Sequence, residues 1–168
     1  NLASITKIKY IFQIPCKTTS ATLQYIYYLY GGFKVSDQEL MQLAENVRKN
    51  AYVPYSNFKV GAALLCSDGS IYTGCNMENS SYGASMCAER AAISQAVADG
   101  KRKFVKIAVC GGKDNTETPC PPCGICRQVL REFCEDNFRV VMKNGNSLFS
   151  DTIGDLLPLC FQKSLLDL

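Results

Sequence analysis

Histidine is absent from all 168 residues. That absence excludes zinc fingers built on paired histidines, His-rich metal sites and any nucleophile that relies on an imidazole base. Acid–base work near neutral pH must then fall to a perturbed carboxylate, a cysteine, a lysine or a metal-bound water. Tryptophan is missing as well, and this excludes nothing by itself. No apolar run approaches the ~20 residues that a membrane-spanning helix needs. The stretch Tyr10 to Ile14 is short for a signal-peptide core and lacks a cleavage site.

Acids are absent from residues 1–34, which hold Lys7, Lys9, Lys17 and Lys34 and five of the nine tyrosines. Four of the 18 basic residues lie there, leaving 14 against 15 acids in the remainder. A nucleic-acid-binding body carries a basic stripe, so this balance argues against nucleic acid as partner. Residues 1–35 read as an N-terminal extension of unknown role, and 36–168 as one catalytic domain of ordinary globular composition.

Ser36-Asp37-Gln38-Glu39 has the pattern of a capping box, and Leu40, Leu43, Ala44, Val47 and Ala51 follow at helical spacing. The pattern predicts a helix from about Asp37 to Tyr52, stopped by Pro54. Strands are expected at Phe58 to Cys66 and Ser70 to Cys75, joined as a hairpin through Ser67-Asp68-Gly69. The alanine-rich run after Cys87 predicts a buried helix ended by Gly100. A strand at Phe104 to Cys110 follows, then a helix carrying Ile125, Val129, Leu130 and Phe133. A strand at Phe138 to Met142 and a short helix at Thr152 to Leu157 complete the order. Helices alternating with strands predict a layered α/β domain.

Ten cysteines fall short of the density of small disulfide scaffolds, and the domain is large enough to fold without staples. Overlapping CxxC spacings at Cys120, Cys123 and Cys126 suit metal or redox chemistry in a reducing compartment. Cys87 opens one predicted helix; Cys123 and Cys126 open another. Helix N-termini favour thiolate, the form that binds zinc. Three thiolates with no histidine to fill the fourth position would make a catalytic zinc site. Arg90 is the cation placed to offset their charge, and Glu89 a carboxylate placed to move protons. Positions two apart on a helix do not share a face, so Cys87 and Glu89 converge only if Cys87 lies at the helix end. Two other readings stand beside this one: a structural four-sulfur site completed by Cys120, and a metal-free dithiol at Cys123 and Cys126. Cys16, Cys66, Cys75, Cys110, Cys134 and Cys160 read as small apolar fillers.

The paired motifs Cys87-Ala88-Glu89-Arg90 and Pro122-Cys123-Gly124-Ile125-Cys126-Arg127-Gln128 resemble the zinc signature of the cytidine deaminase family, in its small homotetrameric form. Pro54 to Ala63, Gly74 to Asn79 and Leu156-Leu157-Pro158 resemble it too. The likeness covers about Ser36 to Phe161. It implies a three-layer α/β/α domain around a mixed sheet of about five strands, and one Zn2+ per chain on Cys87, Cys123 and Cys126. It implies Glu89 as the proton shuttle in hydrolytic deamination of cytidine and deoxycytidine. Asn76 and Glu78 would hold the ribose 3′-hydroxyl, Phe58 would wall the pyrimidine, and Ala88 would offer its backbone N–H to the base carbonyl. Tyr82 and Phe161 would complete a neighbouring subunit's pocket. The histidine-free ligand set and the charge balance point to a free nucleoside. They argue against a polynucleotide or a deoxycytidylate, whose deaminases generally use a histidine as first ligand. A blasticidin-type deaminase is the alternative within the class, and Asn76 and Glu78 argue against it. The reading is of a cytoplasmic enzyme of pyrimidine salvage.

Overall fold

The computed structural model describes residues 35–113 and 119–166. Residues 1–34 of the expected N-terminal extension, with its tyrosines and Cys16, lie outside the described residues. Helix α1 (Asp37–Arg48) precedes the hairpin of β1 (Lys59–Cys66) and β2 (Ile71–Cys75). Then come α2 (Ala88–Ala98), β3 (Phe104–Gly112), α3 (Gly124–Phe133), β4 (Arg139–Asn144), β5 (Ser147–Thr152) and the short α4 (Ile153–Leu156). The sheet order is β2-β1-β3-β4-β5. The β3–β4 pair is parallel and the others are antiparallel. This is the expected mixed sheet.

Period-two alternation sorts the central strands into two faces. Ala63, Leu65, Ala108, Cys110 and Val141 meet Leu40, Met41 and Ala44 of α1. Ala62, Leu64, Ile107, Val109, Val140 and Met142 meet Ala88, Ala92, Ile93 and Ala96 of α2 and Leu130 of α3. Strands buried on both faces read as continuous apolar runs, as Ala62 to Cys66 and Ile107 to Cys110 do. The three layers follow.

Two glycines set how closely the helices lie. A Cβ on Gly61 would fall on the Ala44 carbonyl and within 2.9 Å of the Arg48 amide. One on Gly74 would meet the Ala88 carbonyl and stand 2.6 Å from the Ala92 amide. Only a bare α-carbon lets the first turns of α2 rest on β2.

The capping box forms as expected: Ser36 Oγ accepts the Glu39 amide at 3.1 Å, and Glu39 accepts the Ser36 amide at 2.8 Å. The helix stops at Arg48, four residues before the expected Tyr52. Tyr52 is drawn away by long-range pairing, its N–H donating to Asn76 O at 3.1 Å and its C=O accepting from Glu78 at 2.8 Å. Strand β5 carries no alternating apolar pattern that would mark it in the sequence. It is a sheet edge whose Ser147–Thr152 run is mostly exposed and polar.

Register decides where the chain openings gather. Lys59 pairs with Gly112 and Gly61 with Cys75, so one end of the sheet collects the entry to β1, the exit of β2 and the exit of β3. Among the described residues no helix is long and apolar enough to cross a membrane.

Asp37 joins α1 to the sheet through Lys106 at 2.6 Å and Arg139 at 2.6 Å. Burial pushes its carboxyl up, but the two cations outweigh this and hold it below the ordinary 3.8. A depressed folded-state pKa gives stability that is full above the unfolded value and lost as pH falls through the folded one. Urea unfolding of Asp37→Asn should therefore show a loss of about 2 kcal/mol at pH 7. That difference from the parent should shrink as pH falls below about 4.

Candidate active site

Two helix starts converge at this sheet end. Cys87 is the N-cap of α2 (φ −79°, ψ 153°) and Cys123 the N-cap of α3 (φ −66°, ψ 167°). Neither side chain caps its own helix, so both thiols are available to each other. Cys126, one turn into α3, is fully buried. The three sulfurs lie within 4.8 Å of one another, with Cys87–Cys123 at 3.8 Å and Cys123–Cys126 at 3.5 Å. Ligands ~2.3 Å from a tetrahedral zinc stand about 3.8 Å apart. The trio thus fits zinc in spacing and in donor type. Arg127 steadies this helix start by donating to the Pro122 carbonyl at 2.8 Å and the Leu156 carbonyl at 2.7 Å.

The extended backbone at Cys87 removes the objection that Cys87 and Glu89 should face apart: Cys87 precedes the helix and Glu89 lies within it. Hydrogen bonding from Cys126, with Arg90 and Cys123 adding to it, lowers the Cys87 thiol to about 5 despite burial. Cys126 is pushed up, because its proton is held toward Cys87 and because it is buried. Arg90 donates to Cys87 Sγ at 3.7 Å and to the Ser85 carbonyl at 3.0 Å. Glu89 is 4% exposed. Burial pushes its carboxyl above the ordinary 4.5, and the charge on Cys87 pushes the same way, against hydrogen bonds from its own amide and from Cys126. A buried carboxyl that can hold a proton thus sits beside a site able to take a cation.

Cys120 stands outside the trio. It packs against Gly111, where a Cβ would come within 2.5 Å of its sulfur, and burial drives its thiol up to about 12. The four-sulfur arrangement has no support in this geometry. Cys123 and Cys126 are free thiols with Cys87 as a third partner, so a bare dithiol describes them poorly. Cys66, Cys110 and Cys134 are buried fillers as expected, while Cys160 accepts from Arg131 Nε at 3.0 Å.

The polar residues beyond the trio are already engaged. The Asn76 side chain accepts the Val60 amide at 2.8 Å and donates to the Phe58 carbonyl at 2.8 Å, pinning the entry to β1. Glu78 Oε2 accepts the amides of Tyr55 at 3.0 Å and Ser56 at 3.2 Å, and Oε1 accepts the Ser56 hydroxyl. These bonds, the hydroxyl first, hold its carboxyl below the usual range. An open cavity of about 300 Å³ is lined by Tyr55, Ser56, Glu78, Tyr82 and Ser85. The cysteines and Glu89 do not line it. The Ser85–Arg90–Cys87 bonds connect it to them.

Phe58 lies just before β1, 38% exposed. Ala88 is the buried first residue of α2. Tyr82 is 78% exposed and meets Tyr55 edge-on at 6.2 Å. Phe161 is 60% exposed and outside the cavity lining, its carbonyl accepting from Gln128 at 2.8 Å. Tyr55, Ser56 and Ser85 line the cavity although the sequence motifs assign them no role. The signal available was a serine beside a residue able to adopt positive φ, the turn chemistry of Ser56-Asn57.

Residues 34–142 match the family described as the cytidine and deoxycytidylate deaminase zinc-binding region. The chain is 47% identical over 127 residues to the cytidine deaminase of Sporosarcina psychrophila, covering 75% of this chain and 91% of that one. It is 46% identical over 125 residues to that of Halalkalibacterium halodurans, covering 74% and 92%. The crystal structure of cytidine deaminase from Burkholderia pseudomallei superposes with a TM-score of 0.70 at 45% identity, covering 76% of this chain and 100% of that one.

Replacing Cys87, Cys123 or Cys126 singly by serine should drop bound zinc from one per chain to well below half after gel filtration. Cys120→Ser should keep the full complement. Atomic emission on the purified variants reads both outcomes.

Proposed function

The chain belongs to the cytidine and deoxycytidylate deaminase family, and from that premise we propose that it hydrolyses cytidine and deoxycytidine to uridine and deoxyuridine with release of ammonia. The observation that carries this reading is a buried carboxyl beside three convergent sulfurs. Cys87, Cys123 and Cys126 would hold one zinc ion, which when bound supplies Lewis acidity that makes water acidic near neutral pH.

Glu89 takes one proton from the water whose oxygen adds to C4 of the cytosine ring and delivers it to N3. It then moves the remaining proton, from the new C4 hydroxyl, to the amino group, so that the C4–N bond breaks, ammonia leaves and the C4 carbonyl forms. Burial suits it to both duties, because a carboxyl with a raised pKa holds a proton for part of the cycle. Arg90 offsets the sulfur charge by donating to Cys87. The N–H of Ala88, at a helix start where amides have no intrahelical partner, donates to the base carbonyl. Phe58 walls the pyrimidine, with its backbone steadied by Asn76. Asn76 and Glu78 bind the ribose 3′-hydroxyl through the hydrogen-bonding capacity their protein partners leave over.

Tyr82 and Phe161 complete the pocket of a neighbouring subunit in a homotetramer, a reading supported by two large rings left open to solvent in the single chain. Residues 36–168 are the catalytic domain and 1–35 an extension to it. The cellular role is pyrimidine salvage in the cytoplasm, on free nucleosides. A near-even balance of 14 basic and 15 acidic residues after residue 34 favours that over nucleic acid.

Glu89→Gln should retain zinc and far-ultraviolet circular dichroism. It should lower kcat for cytidine by about 100- to 10,000-fold, read from the absorbance change on conversion to uridine. Near-parental turnover would remove Glu89 from the mechanism. Glu78→Ala should raise KM for cytidine about tenfold, with a smaller change in competitive inhibition by free cytosine. Equal changes would remove the sugar contact.

A further inference from the structure

Glu78 offers about four lone-pair sites. Two on Oε2 take the Tyr55 and Ser56 amides, and one on Oε1 takes the Ser56 hydroxyl. A single acceptor position remains, on Oε1. The Ser56 hydroxyl has one proton, and one of its two lone pairs takes the Phe58 amide at 2.9 Å. With that N–H donating to Oγ, the hydroxyl proton points at Glu78. Asn57, held at φ 56° between them, makes the turn that brings Phe58 N–H back to Oγ. A left-handed residue of this kind is tolerated by asparagine better than by most side chains.

We infer that Ser56 is a positioning residue for the sugar: its hydroxyl, oriented by the Phe58 amide, fixes the rotation of the Glu78 carboxylate so that the free site on Oε1 faces the substrate hydroxyl. The loop does not depend on Oγ for its existence. Asn57 N–H still donates to the Val53 carbonyl at 3.1 Å, and both amides still reach Oε2. Losing the hydroxyl therefore keeps these three bonds while releasing Oε1 and the Phe58 amide. This inference rests on the cytidine reading above, and its test is separable from that reading.

The experiment is steady-state kinetics of Ser56→Ala, on the zinc-loaded 168-residue chain, with cytidine and with 2′,3′-dideoxycytidine, which keeps the 5′-hydroxyl but lacks the 2′- and 3′-hydroxyls. For cytidine, KM should rise about tenfold, the scale of a hydrogen bond to a charged group, with kcat within about threefold of the parent. For the dideoxynucleoside the substitution should change KM by less than about twofold. Ser56→Thr keeps the hydroxyl and should restore KM for cytidine. Ser56→Cys, nearly isosteric but a weak donor, should fall between them and serves if the alanine variant does not fold. An unchanged KM for cytidine, or an equal penalty on both substrates, overturns the role of Ser56 while leaving the deaminase reading standing. A parent enzyme inert toward cytidine overturns both.

Discussion

The site depends on bringing the positive ends of two helices to one point and letting three sulfurs meet there. Thiolates repel one another, so their convergence needs rigid supports and compensating charge. The supports are steric. Gly74 has no Cβ, so α2 lies directly on β2 and its N-cap Cys87 arrives at the exit of that strand. Arg127 anchors the start of α3 to two backbone carbonyls. The apolar contacts that bury α2 and α3 on one face of the sheet hold this geometry against repulsion.

Charge is handled by neighbours of different kinds. Helix-end amides and Arg90 stabilise the negative sulfurs, and in the thiol form Cys126 lends its proton toward Cys87. Glu89 responds in the opposite sense to Cys87. Burial beside negative sulfur raises a carboxyl, whereas donors around an N-cap thiol lower it. One short segment, Cys87-Ala88-Glu89, thereby carries a ready metal ligand and a proton-holding acid.

Around this centre the polar loops behave as a braced frame. Asn76 substitutes for a missing strand partner at the entry to β1, and Glu78 collects two amides and a hydroxyl from Tyr55 and Ser56. Asn76, proposed to contact the sugar, thus also holds the carbonyl of Phe58, the proposed wall of the pyrimidine pocket. Most of their hydrogen-bonding capacity is committed before substrate arrives, an economical form of preorganisation.

Local chemistry was readable from residue order. A capping box needs only Ser36 and Glu39, a helix start needs a cap and an apolar rhythm, and thiols at helix starts with a nearby acid specify a zinc-type site wherever they meet. The two-faced strands were readable because burial on both sides leaves unbroken apolar runs. What sequence could not decide was competition between distant partners. Tyr52 follows an apolar rhythm of helical spacing, but Asn76 and Glu78 draw its backbone into a bridge. Cys120 shares a CxxC spacing with Cys123, yet packing against Gly111 keeps it out of the trio. Strand β5 lacks a buried face to mark it, and only pairing along β4 defines it. The partners of Glu78 and Asn76 lie 16 to 23 residues away in the chain. Residue types announced the chemistry because reactivity is a property of the side chain. Which groups share a hydrogen bond or a metal depends on distances that exist only once the three layers have closed.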